Sequence, residues 1–136
     1  MEKQTYQLTL SSSFEEAEIV PSFVEKIARE CALHNDTEAN LMLLLSEAVT
    51  NAIVHGNKQD PDKKMHAELQ IEENLITVTV SDEGEGFNPE VQKDPLQEEN
   101  LLKSGGRGLF LIRELADSHE FLNRGNSLRF TLKRSQ

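Results

Sequence analysis

Two runs, Met65 to Glu72 and Leu75 to Asp82, alternate apolar and polar residues and are separated only by Glu73-Asn74. Alternation with a period of two turns one strand face toward a core and the other toward water. The short connection closes the pair as a hairpin. Thr77, Val78, Thr79 and Val80 add strong strand preference. This pair commits the chain to a sheet, and the pattern then collapses. From Glu83 to Gly106 the residues are Gly, Pro, Asn and charges. A loop of that length inside a compact domain is usually functional, often a lid.

The flanking segments supply the cover. Thr5 to Leu10 alternates and reads as a strand. Ser11-Ser12-Ser13 offers a cap to a helix beginning at Phe14, and Pro21 fits the first turn of a second helix carrying Phe23, Ile27 and Cys31. Asn35 or Asp36 can cap a third helix that runs to about Val54, with Leu41, Leu44, Leu45, Ala48 and Ala52 as its core stripe. His55-Gly56-Asn57 carries the chemistry of a helix end. Lys58 to Lys63 is a polar loop. Gly108 to Asp117 is helical, and His119 to Asn123 with Ser127 to Lys133 forms a closing hairpin around Gly125-Asn126. No repeat or linker divides the 136 residues, so residues 1–136 are expected to form a single domain.

Composition removes some functions. The net charge of −10 argues against binding nucleic acid by phosphate neutralisation, which needs clustered Lys and Arg. It leaves room for a basic protein partner or a Mg²⁺-masked nucleotide. Cys31 is the only cysteine and reads as a buried thiol, since no basic group stands near it to lower its pKa. No basic n-region precedes an apolar run, and no stretch has the length of a membrane span. The chain is therefore expected in the cytoplasm, away from membranes.

Three clusters carry chemistry. In Glu47-Ala48-Val49-Thr50-Asn51, Glu47 and Asn51 lie about 40° apart on one helix face. An Asn oxygen is a hard ligand suited to Mg²⁺, and a Glu can take a proton from a hydroxyl. The same pair also suits a surface helix whose polar residues face water. In Ser81-Asp82-Glu83-Gly84-Glu85-Gly86, an acid at a strand end can accept from an exocyclic amino group such as adenine's, while Gly84 and Gly86 let backbone approach a ligand. An ordinary Asp-Gly turn has the same composition. In Ser104-Gly105-Gly106-Arg107-Gly108, glycines precede a helix, and bare N–H groups with a positive helix end make an anion site. A plain linker into a helix is the alternative. The glycine spacing fits neither a Walker loop nor a dinucleotide fingerprint.

Each cluster alone is weak, and their order is specific. The sequence resembles the GHKL (Bergerat-fold) ATPase and kinase superfamily from about Tyr6 to Lys133. Within it, Ser46-Glu47-Ala48-Val49-Thr50-Asn51-Ala52-Ile53-Val54-His55-Gly56 looks most like the anti-sigma-factor serine/threonine kinases. The resemblance implies an α+β fold, a two-layer α/β sandwich with helices on one face of a mixed, mainly antiparallel sheet. It implies ATP and Mg²⁺, with Asn51 as the Mg²⁺ ligand and Glu47 as the general base. It implies that Asp82 reads adenine, with Gly84 and Gly86 lining the base. Gly105, Gly106, Arg107 and Gly108 then fall on the phosphate side, Ser127 offers a hydroxyl to adenine, and residues 87–104 form the lid. As partners it implies a small antagonist protein phosphorylated on Ser or Thr, a sequestered sigma factor, and a second copy of the chain.

Three other readings stay open. A histidine-kinase-like catalytic piece would need a phospho-acceptor, but His34, His55, His66 and His119 are scattered and read as surface or cap residues. An ATP-gated binding module would need no base at Glu47. An ATPase acting on water would release phosphate without a partner.

Overall fold

The computed structural model describes residues 3–84, 106–123 and 126–135. In chain order these form β1 (Gln4–Ser11), α1 (Phe14–Ala17), α2 (Val20–Cys31), α3 (Asn35–Asn51), a π-helical turn (Ala52–Gly56), β2 (Lys64–Ile71), β3 (Leu75–Asp82), α4 (Gly106–Leu115), β4 (Ser118–Leu122) and β5 (Ser127–Lys133). The strands make one sheet in the order β1-β2-β3-β5-β4.

Every ladder among the described residues is antiparallel, which corrects the expectation of a mixed sheet. The connections explain it. Hairpins join β2 to β3 and β4 to β5. The helical excursion from β1 returns to the sheet end it left, so Ser11 pairs with Lys64. The segment between β3 and β5 does the same, so Ser81 pairs with Ser127.

Alternation along the strands then sets the two layers. Met65, Ala67, Leu69 and Ile71 of β2, Ile76, Val78 and Val80 of β3, and Leu128, Phe130 and Leu132 of β5 are buried on one face. Helices cover that face. The opposite face carries Thr77, Thr79, Ser81, Arg129 and Thr131, as the period of two requires. α3 is the central helix and packs between α2 and α4. Leu41, Leu44 and Leu45 on it have no exposed surface, and Ala48 and Val49 are buried too.

Local signals act at the helix ends. Ser13 caps α1 by accepting from the Glu16 N–H at 3.2 Å, and Pro21 sits in the first turn of α2. The cap of α3 is His34, not Asn35 or Asp36: its Nδ1 accepts from the Asp36 N–H at 3.2 Å. α2 ends on Ala32 in the left-handed conformation, at φ 52°. The α-helical part of α3 stops at Asn51, short of Val54. The chain widens there into the π-turn, where the Asn57 N–H donates to the Ala52 carbonyl at 2.8 Å. α4 begins two residues before the sequence signals it. Cys31 is buried, with its Sγ donating to Gln4 Oε1 at 2.9 Å. No described helix is long and apolar enough to cross a membrane.

Candidate functional site

The π-turn decides where the site lies. An inserted residue re-aims the end of a helix, and such turns concentrate at functional positions. Here it swings Gly56 against the tip of β3. A Cβ at Gly56 would fall on the Asp82 carboxylate, with Oδ1 at 2.8 Å. A Cβ at Gly84 would strike the Gly56 carbonyl and stand 3.0 Å from Asp82 Oδ1. The π-turn and the turn after β3 therefore close on one carboxylate, and only glycine permits it at each.

Asp82 shares the core-facing parity of Val78 and Val80, so its carboxylate points into the helical layer. Its Oδ1 accepts the Gly84 N–H at 2.8 Å. Burial raises its pKa from the ordinary value, while that hydrogen bond and the charge of Lys63 pull the other way. An acid held in this way is stabilised by a donor, such as an amino group on the edge of a base.

The second half of the site lies on the α3 side chains before the turn. Glu47 and Asn51 are half-buried and face α4. A Cβ at Gly108 would stand 2.9 Å from Glu47 Oε2 and 3.0 Å from Asn51 Nδ2. The backbone of α4 thus passes directly over both side chains. Asn51 Nδ2 is buried and has no hydrogen-bond partner among the described residues. An orphaned buried donor costs about 1–3 kcal/mol, which favours an occupant that completes it.

The structure sets Gly108 against Glu47 and Asn51, and separately sets Gly84 and Gly56 against Asp82. The sequence signal for Gly56 was a glycine closing a helix that carries Glu and Asn. Gly106 and Arg107 open α4, and only their backbone is described. Gly86, Gly105 and the expected lid at 87–104 lie outside the described residues. Ser127 stands apart from these groups. Its hydroxyl pairs with Ser81 Oγ at 2.7 Å and accepts from Asn123 Nδ2 at 3.3 Å. Ser81 and Ser127 are cross-strand partners next to Asp82 in parity, so they occupy the opposite sheet face. The four histidines are all exposed, and His34 serves as a cap.

The residues fit a nucleotide carrying Mg²⁺. The orphaned Asn51 donor suits a phosphate oxygen, and turning that amide over presents a hard oxygen ligand at the same place. Among the described residues no group of three or more His, Cys, Asp or Glu could hold a metal. Magnesium is ordinarily held by one or two protein ligands plus substrate phosphates, in keeping with this donor set.

These features define an α+β domain with helices on one face of an antiparallel sheet, and the sequence comparisons identify its family. The profile of the histidine kinase-like ATPase domain matches residues 10–132, and the chain belongs to that family, the GHKL group. The serine-protein kinase RsbW of Listeria innocua is 32% identical over 97 residues, covering 67% of this chain and 62% of that protein. RsbW of Staphylococcus aureus is 35% identical over 97 residues, covering 66% of this chain and 60% of that protein. The anti-sigma F factor of Oceanobacillus iheyensis is 30% identical over 106 residues, covering 74% and 73%. The chain thus spans about 60% of the length of the RsbW relatives. A solved structure of RsbU and RsbW domains from Mycobacterium tuberculosis superposes with a TM-score of 0.64. It covers 98% of this chain and 33% of that one at 18% identity, a likeness of fold.

Proposed function

We propose that the chain binds Mg-ATP between α3 and α4 and transfers the γ-phosphate to a serine or threonine of a partner protein, as a kinase of anti-sigma-factor type. One observation carries the reading. The same helix that sets Glu47 and Asn51 under the α4 backbone at Gly108 ends in a turn that seats Gly56 on Asp82. Those two ends suit the phosphate and base ends of one ligand. The relatives named serine-protein kinase and anti-sigma factor support the partner class.

Each residue then has a defined task. Asp82 accepts a hydrogen bond from the amino group of adenine. Gly56 and Gly84 keep the pocket wall thin enough for the base. The N-terminal amides of α4 face the phosphates. Asn51 holds the phosphate end through its amide or as a Mg²⁺ ligand; bound magnesium supplies neutralisation of the phosphate charge. Glu47 orients the partner's hydroxyl and accepts its proton as the oxygen–phosphorus bond forms and the β–γ bridging bond breaks, leaving ADP. A sigma factor held by the nucleotide-bound chain is the second partner that this reading includes.

The test is incubation with γ-labelled Mg-ATP and the proteins that co-purify with the chain. Acid-stable label on a partner's serine or threonine is expected. Acid-labile label on the chain's own histidine would replace the proposal with a histidine-kinase reading. Nucleotide binding without transfer would reduce it to an ATP-gated binding module, and steady phosphate release without a partner would make the chain an ATPase.

A further inference from the structure

Asn57 follows the π-turn and is 1% exposed, among the few fully buried polar residues described. Its amide is completely used. Nδ2 donates to Ser12 Oγ at 2.7 Å and to the Lys64 carbonyl at 2.9 Å. Oδ1 accepts the Glu83 N–H at 2.8 Å. A donor faces the oxygen end and a carbonyl faces the nitrogen end, so the amide orientation is set. Ser12, also 1% exposed, passes the connection on by donating its hydroxyl to the Lys63 carbonyl at 3.0 Å. One side chain therefore ties the π-turn to the corner after β1, the start of β2 and the residue after β3.

The placement matters because of what adjoins each end. Asn57 directly follows Gly56, which forms one wall against the Asp82 carboxylate. Glu83, whose N–H it holds, directly follows Asp82 and precedes Gly84, whose N–H binds Asp82 Oδ1. We infer that Asn57 is a positioning residue that sets the orientation of the Asp82 carboxylate and so the selectivity of the site for a base bearing an amino group. The inference rests on the nucleotide reading above. Asn57 touches no ligand: every polar group of its side chain is committed within the protein. A buried amide with no role beyond satisfying its neighbours would contribute to stability and leave base selectivity alone.

The experiment is calorimetry of the full chain with Mg-ATP and Mg-ITP, at a temperature where circular dichroism shows each variant folded. Inosine triphosphate carries a carbonyl in place of the amino group. Wild type is expected to favour ATP, and Asp82→Asn to lose that preference. Asn57→Ala is expected to lower ATP affinity about tenfold, the scale of one well-placed hydrogen bond, while ITP affinity holds within about twofold. Ser12→Ala removes one outer anchor and is expected to give a loss of about threefold, which carries the same test if Asn57→Ala does not fold. A lower melting temperature with an unchanged ATP-to-ITP ratio in both variants overturns the inference. If Asp82→Asn loses the preference and the Asn57 and Ser12 variants keep it, only the positioning role fails. If wild type shows no preference, the nucleotide reading fails and the inference goes with it.

Discussion

Gly84 lies against the backbone of Gly56 so closely that a Cβ there would overlap the Gly56 carbonyl oxygen and stand 2.7 Å from its carbon. Backbone cannot yield as a flexible side chain can. Gly84→Ala is expected to push β3 and the π-turn apart, costing about 1–3 kcal/mol of stability by overpacking. Nucleotide binding should be lost with it. Denaturant melts and calorimetry check both; a variant that binds Mg-ATP like wild type would show that this contact does not shape the pocket.

Asp82 gives a prediction in pH. Burial raises its folded-state pKa above that of the unfolded chain, so the folded state binds more protons between the two values. Stability from this group is therefore complete below the ordinary carboxylate value and falls as pH rises through the window up to the raised value. Asp82→Asn removes the penalty of a buried charge and leaves an oxygen for the Gly84 N–H. The variant is expected to melt at or above the wild-type temperature at neutral pH, with its advantage disappearing in acid. Thermal melts across pH read this directly, and a variant less stable at neutral pH contradicts it.

Asn51→Ala separates stability from binding. Wild type already carries a buried donor with no partner among the described residues, so truncation removes a group uncompensated there. Stability without nucleotide is expected to stay within about 1 kcal/mol of wild type. The rise in melting temperature on adding Mg-ATP should disappear. A full Mg-ATP shift in the variant would remove Asn51 from the site.

Glu47→Ala tests the chemistry. The variant is expected to bind Mg-ATP within a few-fold of wild type and to transfer phosphate about 10²–10⁴-fold more slowly, the usual contribution of a general base. Single-turnover transfer to the partner measures it. Transfer at the wild-type rate would assign the proton to another group.

Ala32 offers a control remote from the nucleotide. It holds φ at 52°, a conformation that costs an L-residue roughly 1–2 kcal/mol and glycine nothing. Ala32→Gly is expected to stabilise the chain by about 0.5–1 kcal/mol after the entropy of the unfolded chain is counted. Mg-ATP affinity should not change. A destabilised variant would show that the alanine methyl packs usefully.

Much of the fold was legible where one periodicity ran unbroken. β3 appears over the same residues, Leu75–Asp82, that alternation predicts, as does β5 over Ser127–Lys133. Both have one face in the core and need no distant partner to declare it. The core stripe of α3 was equally plain. The cap at His34 was missed because Asn and Asp beside it have the stronger intrinsic preference. The π-turn was missed because His55-Gly56 signals only that the helix ends, not that its last turn widens first; the π-turn packs against β3. The sheet face of Ser127 was not legible because a hydroxyl near a strand end says nothing of which face it takes until the register with Ser81 is known.

By itself the sequence determined the strands, the helices, and which side chains could do chemistry: a Glu and an Asn one turn apart, an acid at a strand end, and glycines where backbones must meet. These follow from local periodicity and side-chain chemistry, which act over a few residues. Only the tertiary structure decided that the described strands are all antiparallel, that Gly108 lies over Glu47 and Asn51, and that Gly56 lies on Asp82. Those relations join residues far apart in the chain, and they arise where the helices that cover one face of the sheet pack on it and on one another.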